Sequence, residues 1–226
     1  EGLWKKCVGK KPTVITIADL IPDILWKDKC ICGQRRQVLD AVDHIIVISE
    51  YTKKDLIRLY GVPEDKISRI YLGYTAGTDC AHASIVPFEK YILFVGRRNG
   101  YKNFDFFFRS ICPLMQDDKT LHLLCTGLPF TEKEARMIES AGVKDRVVHK
   151  YLTDEMMQAA YSNALCFVFP SKYEGFGLPT LDAFNYGCPT VLSRCSCFPE
   201  IGGDAAYYFD DGDGESLLLV VLRLVR

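Results

Sequence analysis

Neither sign of charge dominates this sequence: 28 Lys and Arg stand against 29 Asp and Glu, a net charge of −1. That balance removes the broad basic field with which proteins hold nucleic acid backbones, so no nucleic acid partner is expected. Lysines gather only locally, at Lys5, Lys6, Lys10 and Lys11. Long apolar runs are absent too. The terminal stretch Leu217–Leu222 falls far short of the roughly 18 residues needed to span a membrane. The residues given suggest no secretory leader, and the first of them is Glu1, so the natural start is expected upstream. Ten cysteines are present without one Cys-x-x-Cys. Cys30/Cys32 and Cys195/Cys197 are Cys-x-Cys pairs, whereas Cys125 and Cys166 sit in apolar runs. The expectation is reduced, mostly buried cysteines acting as small hydrophobes, with zinc across the two pairs as the minor alternative.

Apolar residues make up 48 % and charged residues 25 % of the 226, which suits a globular chain with a packed core. Short apolar stretches alternate with helical patterns, the signature of βαβ units and a parallel sheet. Residues 14–17, 44–48 and 67–71 read as strands, with helices over 34–41 and from Thr52, a plausible N-cap, to the stop at Gly61 and Pro63. That is half of a doubly wound domain. A connector without periodicity, 73–87, follows, and the domain boundary is expected at 78/79. Beyond it, strands are expected over 91–95, 121–125, 146–149, 164–169, 189–192 and 206–209. Helices are expected over 103–114, 131–141, 153–163 and 180–186, the second opened by a capping box of Thr131 and Glu134. The run ESLLLVVLRLVR reads as an amphipathic helix cut at the chain end.

Open parallel sheets bind ligands beyond the carboxyl ends of their strands. The loop after Val95, GRRNGYKN, offers Gly96 for a sharp turn, then Arg97, Arg98 and Lys102 near a helix N-terminus. Bidentate arginine, a lysine point charge and unpaired helix N–H groups suit a diphosphate. A solvated surface charge cluster is the equal alternative. The loop after Phe169 holds Glu174, Gly175 and Gly177, with Pro179 at the first turn of a helix and Asp182 one turn in. A carboxylate at Asp182 suits ribose hydroxyls; Glu174 is either a site group or a surface carboxylate.

The run from Glu174 to Asp182 resembles the Glu-x7-Glu signature of the retaining glycosyltransferases called family 4, whose architecture is GT-B. GRRNGYKN resembles that family's Gly-Arg…Lys loop, and FPEIGGDAAYYFD its Pro-Glu…Gly-Asp-Ala-Ala segment. VISEYTKKDLIRLYGVPEDKI and TIADLIP resemble two stretches of its N-terminal domain. The resemblance implies an α/β chain of two Rossmann-like domains with parallel sheets: an incomplete acceptor-side domain, 1–78, and a donor-binding domain, 79–226. It implies transfer of a sugar from a UDP- or GDP-sugar to a glycan or lipid-linked acceptor, with retention and with neither cofactor nor metal. Arg97 and Lys102 would bind the diphosphate, with the turn at Gly96, and Glu174 would contact the transferred sugar. Gly175 and the backbone of Phe176, Gly177 and Leu178 would line sugar and phosphate, and Asp182 would hold the ribose.

Two departures stand out. The second Glu of the signature is Asp182, one methylene shorter. The family's His before Asp is Ala18, next to Asp19, which is placed at the N-domain cleft and reads first as a loop or capping residue. The resemblance also implies a bacterial enzyme of surface polysaccharide synthesis, cytoplasmic, with peripheral attachment to the inner membrane face as a variant. A nucleotide-sugar-binding protein impaired in catalysis is the alternative that Ala18 raises; an epimerase on the same architecture and a non-enzymatic interaction module are the others.

Overall fold

The computed structural model describes residues 11–75, 85–98 and 100–226, which form two compact units. Lys5, Lys6 and Lys10 of the N-terminal lysine group, most of the connector and the 78/79 boundary lie outside the described residues.

The first unit comprises 1–73 with 173–177 and 196–201. Its sheet is parallel and three-stranded, in the order β1 (Val14–Ile17), β2 (His44–Val47), β3 (Ile67–Arg69). Between β1 and β2 runs α1 (Lys29–Ala41), longer than the apolar pattern suggests. Asp28 starts it, accepting from the N–H groups of Cys30 and Ile31 at 2.9 and 3.1 Å. The helix α2 (Glu50–Tyr60) begins before Thr52. Ser49 is its N-cap, extended at φ −152 and accepting from the Thr52 N–H at 3.1 Å, so Thr52 receives the cap instead of forming it. Gly61 closes the helix in the left-handed conformation, φ 62.

The second unit comprises 74–172, 178–195 and 202–226. Six parallel strands lie in the order β6 (Val147–Lys150), β5 (His122–Thr126), β4 (Tyr91–Phe94), β7 (Cys166–Phe169), β8 (Thr190–Ser193), β9 (Tyr207–Phe209). The helices are α3 (Phe104–Asp117), α4 (Glu132–Ser140), α5 (Asp154–Ser162), α6 (Leu178–Asn185) and α8 (Gly214–Val225); the short α7 (Phe198–Gly202) begins in the first unit. Strands β4, β7 and β8 are buried on both faces, as a helix-covered parallel sheet requires. Phe104, Phe107 and Phe108 of α3, spaced i, i+3, i+4, share one core with Phe94: Phe104 and Phe107 meet its ring, and Phe108 stacks on Phe104. Each such ring stabilises the core by roughly 1.5–3 kcal/mol. The capping box of Thr131 and Glu134 is present. The chain's Asp-x-Asp, Asp211–Asp213, leads into a helix cap: Asp213 accepts from Glu215 and Ser216 N–H groups. Five of the eight described cysteines are buried and none of the eight is in a disulfide.

This strand order has one functional consequence. The chain winds outward from β4 through β5 to β6, then returns to the other side of β4 and continues through β7 to β9. The reversal between β4 and β7 is the topological switch point, where open α/β sheets bind ligands. The two loops singled out in the sequence are those that follow β4 and β7.

Candidate donor-binding site

In the second unit, Gly96 turns the chain after β4 at φ 104, and Gly127 does the same after β5 at φ 105. Such values favour glycine. The Gly96 N–H donates to Thr126 Oγ1 at 3.3 Å and the Gly127 N–H to the Lys150 carbonyl at 3.0 Å. The two turns border a cleft of about 490 Å³, lined by Gly96, Arg97, Gly127, Leu128, Pro129 and Thr131 among others. Gly127 was missed in the sequence, although LLCTG repeats the strand-then-glycine pattern of ILFVG.

The adjacent arginines have separate tasks. Arg97 is exposed at the cleft. Arg98 is buried, its Nε 3.0 Å from Glu134 Oε1, and its Nη2 donates to the carbonyls of Leu128 and Pro129 at 2.6 and 2.8 Å. Its guanidinium also lies 4.7 Å from the Phe130 ring centroid. Arg98 therefore builds the wall of the cleft and is not one of the solvated cations that the sequence suggested. Lys102 is half-buried, with Nζ 4.8 Å from the Phe169 centroid at the end of β7 and 5.3 Å from that of Tyr101. It immediately precedes the start of α3, where Asn103 is left-handed at φ 60 and makes no side-chain cap.

In α6, Leu178 is 44 % exposed and Asp182 half-buried. Burial raises the Asp182 carboxyl above its usual range, and a hydrogen bond from Tyr74 works against that rise. Burial, then Asp182, pushes the Tyr74 hydroxyl up to about 12. Tyr74 was not foreseen as a partner, because it sits at the start of the aperiodic connector.

The first unit holds the rest. Residues 173–177 are all buried. A Cβ on Gly175 would collide with the Ala18 carbonyl oxygen and come within 2.9 Å of Asp19 Cβ, so only glycine fits. Gly177 turns at φ 84. Tyr173 donates to Asp55 Oδ2 at 3.0 Å and meets Tyr51 edge-on, and Phe176 packs on Tyr71. Glu174, 8 % exposed, has both ends of its peptide unit bonded to Ser196 Oγ. Asp19 accepts from the Ile21 N–H at 2.9 Å, the loop-capping role read from the sequence. The structure thus gathers Asp19, Glu174, Gly175 and Phe176 in one unit, and Gly96 and Arg97 at one cleft in the other. Ser196, also in the first unit, escaped the sequence reading, and Glu200, part of the FPEIGGDAAYYFD resemblance, had no role assigned to it there. Among the described residues no cluster of three or more His, Cys, Asp or Glu is arranged to hold a metal.

A doubly wound parallel sheet with a glycine turn after β4, at its switch point, defines an α/β fold of Rossmann-like type. Residues 89–226 match the family model described as glycosyl transferases group 1, and residues 2–76 match that of glycosyltransferase family 4. The chain belongs to the group 1 glycosyltransferases. It is 27 % identical over 202 residues to O-antigen chain mannosyltransferase B of Escherichia coli, covering 83 % of this chain and 53 % of that protein. It is 27 % identical over 175 residues to O-antigen chain mannosyltransferase RfbU of Salmonella typhimurium, covering 76 % and 48 %. The chain thus spans about half the length of these curated relatives. Among solved structures, HepE of Anabaena in complex with UDP and glucose superposes with a TM-score of 0.81 at 14 % identity, covering 96 % of this chain and 62 % of that one. Sucrose-phosphate synthase of Thermosynechococcus elongatus gives 0.76 at 20 %, covering 93 % and 58 %. The fold class is GT-B, as the sequence resemblance implied. No helix of the described residues is long and apolar enough to cross a membrane.

Proposed function

We propose that this chain is part of a glycosyltransferase that moves a sugar from a nucleoside diphosphate sugar to a glycan or lipid-linked acceptor with retention of configuration. The observation that carries this reading is the GRRNGYK loop directly after β4, at the switch point between β4 and β7, in a chain of the group 1 glycosyltransferases. Arg97 and Lys102 hold the diphosphate beside the α3 N-terminus, Glu174 contacts the transferred sugar, and Asp182 contacts the ribose. Breaking the bond from the anomeric carbon to phosphate leaves negative charge growing on the diphosphate. Cations fixed where that charge develops are the largest electrostatic help available to the step. The mannosyltransferase relatives support GDP-mannose as the first donor to try, and the UDP-bound neighbour supports UDP-glucose as the second.

The test is titration of UDP and GDP into the full-length protein and its variants. Arg97→Ala and Lys102→Ala are each expected to weaken binding at least tenfold, about 1.4 kcal/mol. Unchanged affinities in both would remove the phosphate assignment. Glu174→Ala is expected to lower turnover more than nucleotide affinity. A second reading, a donor-binding protein impaired in catalysis, rests on Ala18, whose backbone abuts Gly175 where the family resemblance implies a histidine. Transfer or donor hydrolysis by the wild-type protein excludes it.

A further inference from the structure

Ser196 is one of three non-glycine described residues with positive φ, at 55. That backbone is costly for any residue with a Cβ, and such strain persists where surrounding structure holds it for a purpose. The serine is buried at 7 % exposure, and its hydroxyl both accepts and donates. It accepts from the Glu174 N–H at 3.0 Å and donates to the Glu174 carbonyl at 2.7 Å, gripping both sides of that one residue. The segment carrying Ser196 is itself anchored four residues on. Glu200 accepts from the backbone N–H groups of Glu50 and Tyr51 at 2.7 and 3.1 Å, where the positive end of α2 favours a carboxylate. Glu174 is thus tied through one hydroxyl to a segment fixed on a helix terminus. A loop held only by its own turns would carry no such brace.

We propose that Ser196 is a positioning residue that sets the backbone at Glu174, and through it the angle at which the Glu174 carboxylate meets the donor sugar. This rests on the assignment of Glu174 made above. A structural brace and a positioning brace are separated by two substitutions that both delete the hydroxyl. In Ser196→Ala the strain of φ 55 remains; in Ser196→Gly it is relieved, so the glycine variant melts at the higher temperature of the two. The full-length protein and both variants are assayed for sugar transfer or donor hydrolysis with GDP-mannose and UDP-glucose, alongside Glu174→Gln. Positioning predicts that kcat falls at least tenfold in both serine variants despite their different melting temperatures, with the donor KM moving less than threefold. Turnover that follows the melting temperature, with glycine near wild type and alanine reduced, overturns the proposal, as does kcat within twofold of wild type in both. Loss of activity in Glu174→Gln alongside active serine variants overturns only the role of Ser196. Full activity in Glu174→Gln overturns the assignment of Glu174 itself.

Discussion

Replacing Arg98 by alanine perturbs stability first, and the size of the effect follows from what the guanidinium touches. Its Nε pairs with Glu134 Oε1 at 3.0 Å, and the two side chains are 5 % and 9 % exposed. Its Nη2 serves the Leu128 and Pro129 carbonyls. The other Glu134 oxygen accepts from Thr131 N and Oγ1 at 2.7 and 2.9 Å, completing the capping box of α4. Alanine leaves a buried carboxylate without its counter-charge and two carbonyls without their donor. Breaking one side of a buried pair costs about 3–5 kcal/mol. For a chain of this size each kcal/mol is worth roughly 2–4 °C, so the melting temperature should fall by roughly 10 °C. Adding Glu134→Gln to Arg98→Ala should restore part of that loss, since the stranded charge is then gone. The neighbouring Arg97→Ala is the control: an exposed side chain whose loss should stay within about 0.5 kcal/mol. Thermal unfolding followed by circular dichroism reads all four proteins. If Arg98→Ala unfolds with wild type, or the double variant unfolds well below the single one, the buried pair does not hold the cleft wall.

These two arginines also mark how far the sequence could be read. Strand positions followed from apolar runs bounded by turn residues, and the loops beyond their carboxyl ends were then the places to look for a ligand; the strand order that makes one of them a switch point came from the structure. Both loops that carry the candidate site were found by that route, because a glycine after a buried strand marks a turn whatever the tertiary context. Which of Arg97 and Arg98 faces the cleft was not legible. The answer depends on Glu134, 36 residues away, turning its side chain back from its capping box. Tyr74 and Asp182 meet across more than a hundred residues, and no local pattern announces such a pair. Ser196 escaped for a related reason. Its importance lies in φ 55 and in two bonds to Glu174, and a serine in SRCSCF reads as an ordinary turn residue. Local periodicity reports elements; the partners of buried polar groups are set by long-range packing.

Two further perturbations separate geometry from charge. Gly175→Ala places a methyl group against the Ala18 carbonyl, whose backbone cannot swing aside as a side chain tip would. It should destabilise by about 3 kcal/mol or more, read as a lowered urea midpoint, and a wild-type midpoint would mean the loop does not pack on Ala18. Asp182→Asn tests the half-buried carboxylate by its pH dependence. Burial raises its folded pKa above the unfolded value, so between the two the folded state binds more protons. Stability then falls as pH rises through that window, which opens near pH 4, the ordinary carboxylate value, and closes at the raised one. Asparagine removes this group's titration. The melting temperature of Asp182→Asn relative to wild type should therefore climb across the window and level off above it. Tyr74→Phe should widen the window, because the hydrogen bond that favours the ionised carboxylate is gone. A difference between Asp182→Asn and wild type that shrinks as pH rises would show a carboxylate stabilised by its surroundings, and the assignment of a desolvated Asp182 would fall.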